Sequence, residues 1–126
     1  MGREQFQIEY VFDKVSRNSL WNHLTTVSGL SSWFAEKVVI EGNLYNFKWK
    51  KTVEQAEIIE QKPGVSVRYR WLDDEEEYYF EFLIHGIELT GGTALEIIDF
   101  AEPDEKADAI NLWDTQIDAL KRTLGI

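Results

Sequence analysis

Between Asp104 and Leu124 the residues Ile110, Trp113, Ile117, Leu120 and Leu124 recur at steps of three and four. That is the pattern of a helix with a single apolar stripe. At about 1.5 Å per residue such a helix is roughly 30 Å long, so its stripe needs an apolar partner surface of the same reach. Asp104 and Glu105 at its start and Lys121 and Arg122 near its end complement the helix dipole, and Gly125 is placed to terminate it. A sheet is the natural partner, and most of the preceding chain reads as strands.

Phe6, Ile8, Tyr10 and Phe12 alternate with Gln5, Gln7 and Glu9, which predicts a half-buried strand over 5–12. Ser16 then suits an N-cap, with Leu20, Trp21, Leu24 and Val27 at helical spacing. Ser28-Gly29 is expected to break that helix, and residues 30–35 to add a second short turn with Trp33 and Phe34. From Lys37 onward the period returns to two. Val38 and Ile40 lead to the turn Glu41-Gly42-Asn43, and Tyr45, Phe47 and Trp49 alternate with Asn46, Lys48 and Lys50. Residues 52–61 form a further strand that ends at Lys62-Pro63-Gly64. Val65, Val67, Tyr69 and Trp71 form the next inward face, and Tyr78, Phe80, Phe82 and Ile84 the one after the acidic turn 73–77. The last strand, 93–100, is ambiguous, because Leu95 and Ile97 differ in parity from Ile98 and Phe100. A bulge or apolar contacts on both faces would reconcile them.

Short consecutive strands joined by tight turns imply an antiparallel sheet. The predicted class is therefore α+β: a curved antiparallel sheet of about six to seven strands around a long C-terminal helix, with two short helices after the first strand. The 126 residues suit one domain, residues 1–126, with no linker or low-complexity tract. Seventeen aromatic residues (five Trp, five Tyr and seven Phe) provide a large core. Cysteine is absent, which removes disulfides and thiolate metal sites. The net charge of −10 repels phosphate backbones and anionic lipid, so neither nucleic acid nor membrane insertion is expected. The polar start Met1-Gly2-Arg3-Glu4-Gln5 is unlike a signal peptide, and a cytoplasmic setting is the expectation.

Local words in this order are similar to a known family. Leu20-Trp21-Asn22-His23-Leu24-Thr25 and Gly29-Leu30-Ser31-Ser32-Trp33-Phe34 resemble the opening of the heat-shock-protein-ninety ATPase activator homologue group. Gly92-Thr93-Ala94-Leu95-Glu96-Ile97 resembles its last strand, and Asn111-Leu112-Trp113 with Ile117, Leu120 and Leu124 its closing helix. That group lies in the START-like (SRPBCC) superfamily of helix-grip folds. The chain differs from the pattern at two places: Leu112 stands where a glycine is usual, and Gly42 is followed by Asn43 instead of a second glycine. The resemblance implies an elongated apolar cavity between sheet and helix. Members of the superfamily variously bind lipids or hormones, cyclise polyketides, or act on chaperones.

On that basis Trp33, Phe34, Tyr45, Phe47, Trp49, Tyr69, Trp71, Phe80, Trp113 and Ile117 are the candidate cavity-lining residues. Their pattern alone is equally that of plain core. An apolar small molecule is the expected ligand, and a protein partner is the alternative. Polyketide cyclase-like turnover is a third reading, disfavoured because no acid–base constellation stands out. No catalytic residue is assigned. His23 and His85 lack partners at metal-ligand spacing, the acidic run 73–77 lacks the glycine of a calcium loop, and no dinucleotide or phosphate motif occurs. No metal or organic cofactor is expected.

Overall fold

A computed structural model describes residues 2–126. In chain order the elements are β1 (Glu4–Phe12), α1 (Arg17–Thr25), α2 (Val27–Ser31), β2 (Lys37–Glu41), β3 (Leu44–Lys48), β4 (Val53–Lys62), β5 (Ser66–Trp71), β6 (Phe80–Gly86), β7 (Thr93–Ala101) and α3 (Lys106–Leu124). The seven strands form one antiparallel sheet in the order β1-β7-β6-β5-β4-β3-β2. Hairpins join every neighbouring pair from β2 to β7. β1 pairs instead with β7, so the first and last strands are neighbours in the sheet. The predicted helix-grip arrangement is the one observed.

The inward face follows the period-two alternation. Phe47, Ala56, Val67, Tyr69, Phe82, Leu95 and Ile97 are fully buried on this face, and Trp113, Ile117 and Leu120 of α3 are buried in the same core. Helix α3 begins at Lys106, two residues later than its stripe suggested, because Glu102 to Glu105 closes a turn before it. It stops at Gly125, where a φ of 79° favours a residue without Cβ.

The parity conflict in β7 is resolved without a bulge: its register against both neighbours is unbroken. Leu95 and Ile97 enter the core, while Phe100 faces outward and packs on Tyr78 and Tyr79 at centroid distances of 5.4 and 5.0 Å. Tyr78 therefore does not share the inward face of Phe80, as its parity had suggested. It precedes β6 and is claimed by Phe100 and the guanidinium of Arg3. The irregularity lies in β4 instead, between Ile58 and Glu60, where Ile59 turns to solvent. Val65 is also exposed, at the edge of the turn before β5.

The first helix ends earlier than the Ser28-Gly29 break. Thr26 adopts extended backbone and caps α2, its hydroxyl accepting from the Gly29 N–H at 3.0 Å. Val27 is consequently outside α1 and exposed. Gly29 lies against α1 itself: a Cβ there would sit 2.2 Å from the Asn22 carbonyl oxygen.

That close approach exposes a capping arrangement. The last four carbonyls of an α-helix have no partner within it. In α1 each finds a donor from elsewhere: Asn22 from Thr26, His23 from the Trp33 indole N–H at 2.7 Å, Leu24 from the Tyr69 hydroxyl at 2.7 Å, and Thr25 from the Tyr45 hydroxyl at 2.9 Å. Burial pushes the Tyr69 phenol well above its ordinary pKa, and that of Tyr45 upward as well, so both remain protonated donors. Tyr69→Phe keeps the ring but leaves a buried carbonyl unpaired, and should cost about 1–3 kcal/mol in denaturant unfolding. A loss below a few tenths of a kcal/mol would mean that water replaces the hydroxyl and that α1 is not anchored there.

Candidate functional site

The concave face of the sheet is filled unequally. Where α1 and α2 cover it, Phe47, Tyr69 and Phe82 are fully buried and Tyr45 nearly so. Toward the N-terminal half of α3 a cleft of about 330 Å³ remains open. Phe34 (after α2), Trp49 (after β3), Trp71 (end of β5), Phe80 (start of β6) and Trp113 (α3) give it an aromatic wall. These rings form a closed circuit. Successive centroids from Phe34 to Trp49, Trp71, Phe80, Trp113 and back lie 5.8, 6.4, 5.0, 6.1 and 6.2 Å apart. Each spacing is in the range of favourable aromatic pairing, so the wall is a mutually braced unit.

Five of the ten candidate residues thus meet at the cleft. The other five do not: Tyr45, Phe47, Tyr69 and Ile117 are in the packed core, and Trp33 faces a shallow groove beside Ser31, Ser32 and Arg122. The polar tips of Trp33, Tyr45 and Tyr69 are already engaged by α1. Within the cleft, the Trp49 N–H donates to the Phe34 carbonyl at 3.0 Å and the Trp113 N–H to Asp99 at 2.8 Å. The Trp71 ring N–H makes no hydrogen bond among the described residues, although no polar side-chain atom among them is buried without a partner. It is therefore a donor within reach of solvent.

The polar lining was not legible beforehand. Thr52 and Glu54 enter from the start of β4, Gln116 from α3, and Asp99 from β7. Asp99 shares the parity of Leu95 and Ile97, and this is the signal that could have found it: one carboxylate on the inward face of a strand. One of its oxygens accepts from the Phe100 N–H at 2.8 Å, the other from Trp113. Burial raises its pKa above the ordinary carboxylate value, against these two hydrogen bonds and the charge of Arg3, which favour the anion, while Asp74 adds to the rise.

Neither histidine borders the cleft. His23 bonds the Ser19 carbonyl within α1, and His85 pairs with Glu96 on the outer face. Arg68 and Arg70 also point outward, to Glu81 and Glu57 at 2.9 Å each. Glu102, Asp104 and Glu105 are close enough together to share an ion, but they form a surface cluster at the foot of α3, outside the cleft.

The family model of the START-like superfamily domain matches residues 1–126. The chain belongs to the START-like superfamily. Among solved structures it is similar to BfR322 from Bacteroides fragilis, at 42% identity and a TM-score of 0.73, over 100% of this chain and 94% of that one. It also matches the Aha1 dimer from Colwellia psychrerythraea, at 18% identity and a TM-score of 0.82, over 98% and 97% of the two chains. A third match is DynU16, from the dynemicin biosynthetic locus, at 16% identity and a TM-score of 0.78, over 96% of this START-like chain and 47% of DynU16. The last two likenesses show a shared fold. No curated protein matches the sequence significantly.

A carboxyl whose pKa is raised on folding binds more protons in the native than in the unfolded state between its two pKa values. Stability therefore falls as pH rises through that window and stays lowered above it. Asp99→Asn should remove this fall, so the stability of the variant relative to wild type should climb from the ordinary aspartate range upward. A pH-independent difference in denaturant titrations would show that Asp99 is fully hydrated in the native state.

Proposed function

We propose that the protein is a small-molecule binding START-like domain that holds an apolar or lipid-like ligand in the cleft between sheet and α3. The observation that carries this reading is the contrast within one concave face. One part is sealed by rings whose polar tips cap α1, and the other borders a cleft where Trp49 and Trp71 are only partly buried while Phe34, Phe80 and Trp113 are buried. A volume of about 330 Å³ is at the lower end of the range for small-molecule sites, which are mostly apolar with a few placed polar groups. Here those groups are Asp99, Glu54, Thr52 and Gln116.

A second reading, docking of a partner protein, draws support from Leu112, which is 61% exposed at the rim of the cleft, and from the likeness to Aha1. Turnover has less support. Asp99 is held by two donors, and no histidine faces it.

The test is native mass spectrometry of freshly purified protein, paired with Trp71→Ala and titration of an apolar fluorescent dye. Truncating a large aromatic in a tight core costs about 3–5 kcal/mol. Trp71 already borders open space, so its loss should cost clearly less while altering dye binding. Wild type that carries no ligand and binds no dye, together with a full core-scale loss in the variant, would overturn the binding reading in favour of the partner one.

A further inference from the structure

We infer that the ligand of this cleft is a hydrophobic cation, a quaternary ammonium or protonated amine carried on an apolar body. This rests on the small-molecule reading above and narrows it. Five aromatic rings line the cleft, and its only ionisable side chains are the carboxylates of Asp99 and Glu54. No lysine, arginine or histidine is among the lining residues, so nothing there would neutralise a fatty-acid, phosphate or sulfonate head. A cation within about 6 Å of an aromatic face is attracted by the ring quadrupole, most strongly by tryptophan, and three of the five rings are indoles.

Asp99 is built into the site. The Phe100 N–H and the Trp113 indole fix its two oxygens, so the carboxylate is oriented by the same indole that forms part of the wall. The positive charge of Arg3, at the adjoining depression, is engaged by Asp74 at 2.6 Å and by the Tyr78 ring at 4.4 Å. A partly buried anion of this kind gains from a cation that enters with little water. In the free protein the burial of Asp99 is offset by its bonds from the Phe100 N–H and the Trp113 indole. Leu112, in place of a smaller residue, extends the apolar rim against which the body of the ligand would lie.

Three probes of one shape separate the outcomes: phenyltrimethylammonium, its uncharged isostere tert-butylbenzene, and benzenesulfonate. Binding is followed by calorimetry and by the indole N–H shifts of Trp49, Trp71 and Trp113. Salt at about 0.15 M screens the attraction of the overall charge beyond roughly 8 Å. The expected result is binding of the cation at least about tenfold tighter than of the neutral isostere, a preference of cation–π and charge-pair size. Asp99→Asn should reduce that preference to about threefold or less, whereas Glu41→Gln, at the distant β2–β3 turn, lowers the net charge equally and should leave it intact. Equal or tighter binding of the neutral or anionic probe at the same indoles would overturn the cation assignment and leave the small-molecule reading standing. Equal losses in both variants would overturn it too, reducing the effect to net charge. If no probe moves the indole signals, the cation assignment and the small-molecule reading both fail.

Discussion

The C-terminal carbonyls of α1, which have no partner within the helix, organise this molecule. A helix that ends inside a protein must find donors for its last turn or lose the desolvation energy of those groups. Here three come from aromatic side chains, Trp33, Tyr45 and Tyr69, reaching in from the segment after α2 and from two strands. These bonds draw α1 and α2 tightly onto one half of the concave sheet, and Gly29 allows the two helices to touch. That half becomes solid. The remaining half is left to α3 alone, and a single helix cannot cover it, so the cleft follows from where the tyrosines are bonded.

Apolar periodicity carried nearly all of the fold. Seven strands, their turns at Gly42 and Gly64, and the α3 stripe could be read because burial on one face imposes a period of two or 3.6 on the sequence. Boundaries moved where a local hydrogen bond outweighs periodicity, as at Thr26, and where an outward aromatic cluster competes for a ring, as at Tyr78. The candidate site was harder to read. Tyr45 and Trp71 obey the same alternation, and only the helix above them decides whether a ring meets protein or space. Asp99 was hidden for a different reason. Its strand carries apolar residues on both faces, so the parity that marks it as inward was masked by Ile98 and Phe100.

Membership of the START-like superfamily accounts for the architecture, while the chemistry of the cleft belongs to this chain. Its acids and indoles meet because β4, β5, β7 and α3 converge at one end of the sheet. A carboxylate kept partly dry beside Trp113 is held there by two hydrogen bonds, and perturbed carboxyls of this kind are common at functional sites.

The claim that one half of the aromatic face is sealed and the other open is tested most directly by 5-fluorotryptophan labelling. The five tryptophans report from both halves and from outside them, and 19F spectra can be recorded while a small apolar probe is added. The signals of Trp49, Trp71 and Trp113 should shift together and saturate at one concentration, while Trp33 stays fixed. A shift of Trp33 equal to that of Trp71, or no shift of any signal, would contradict the division.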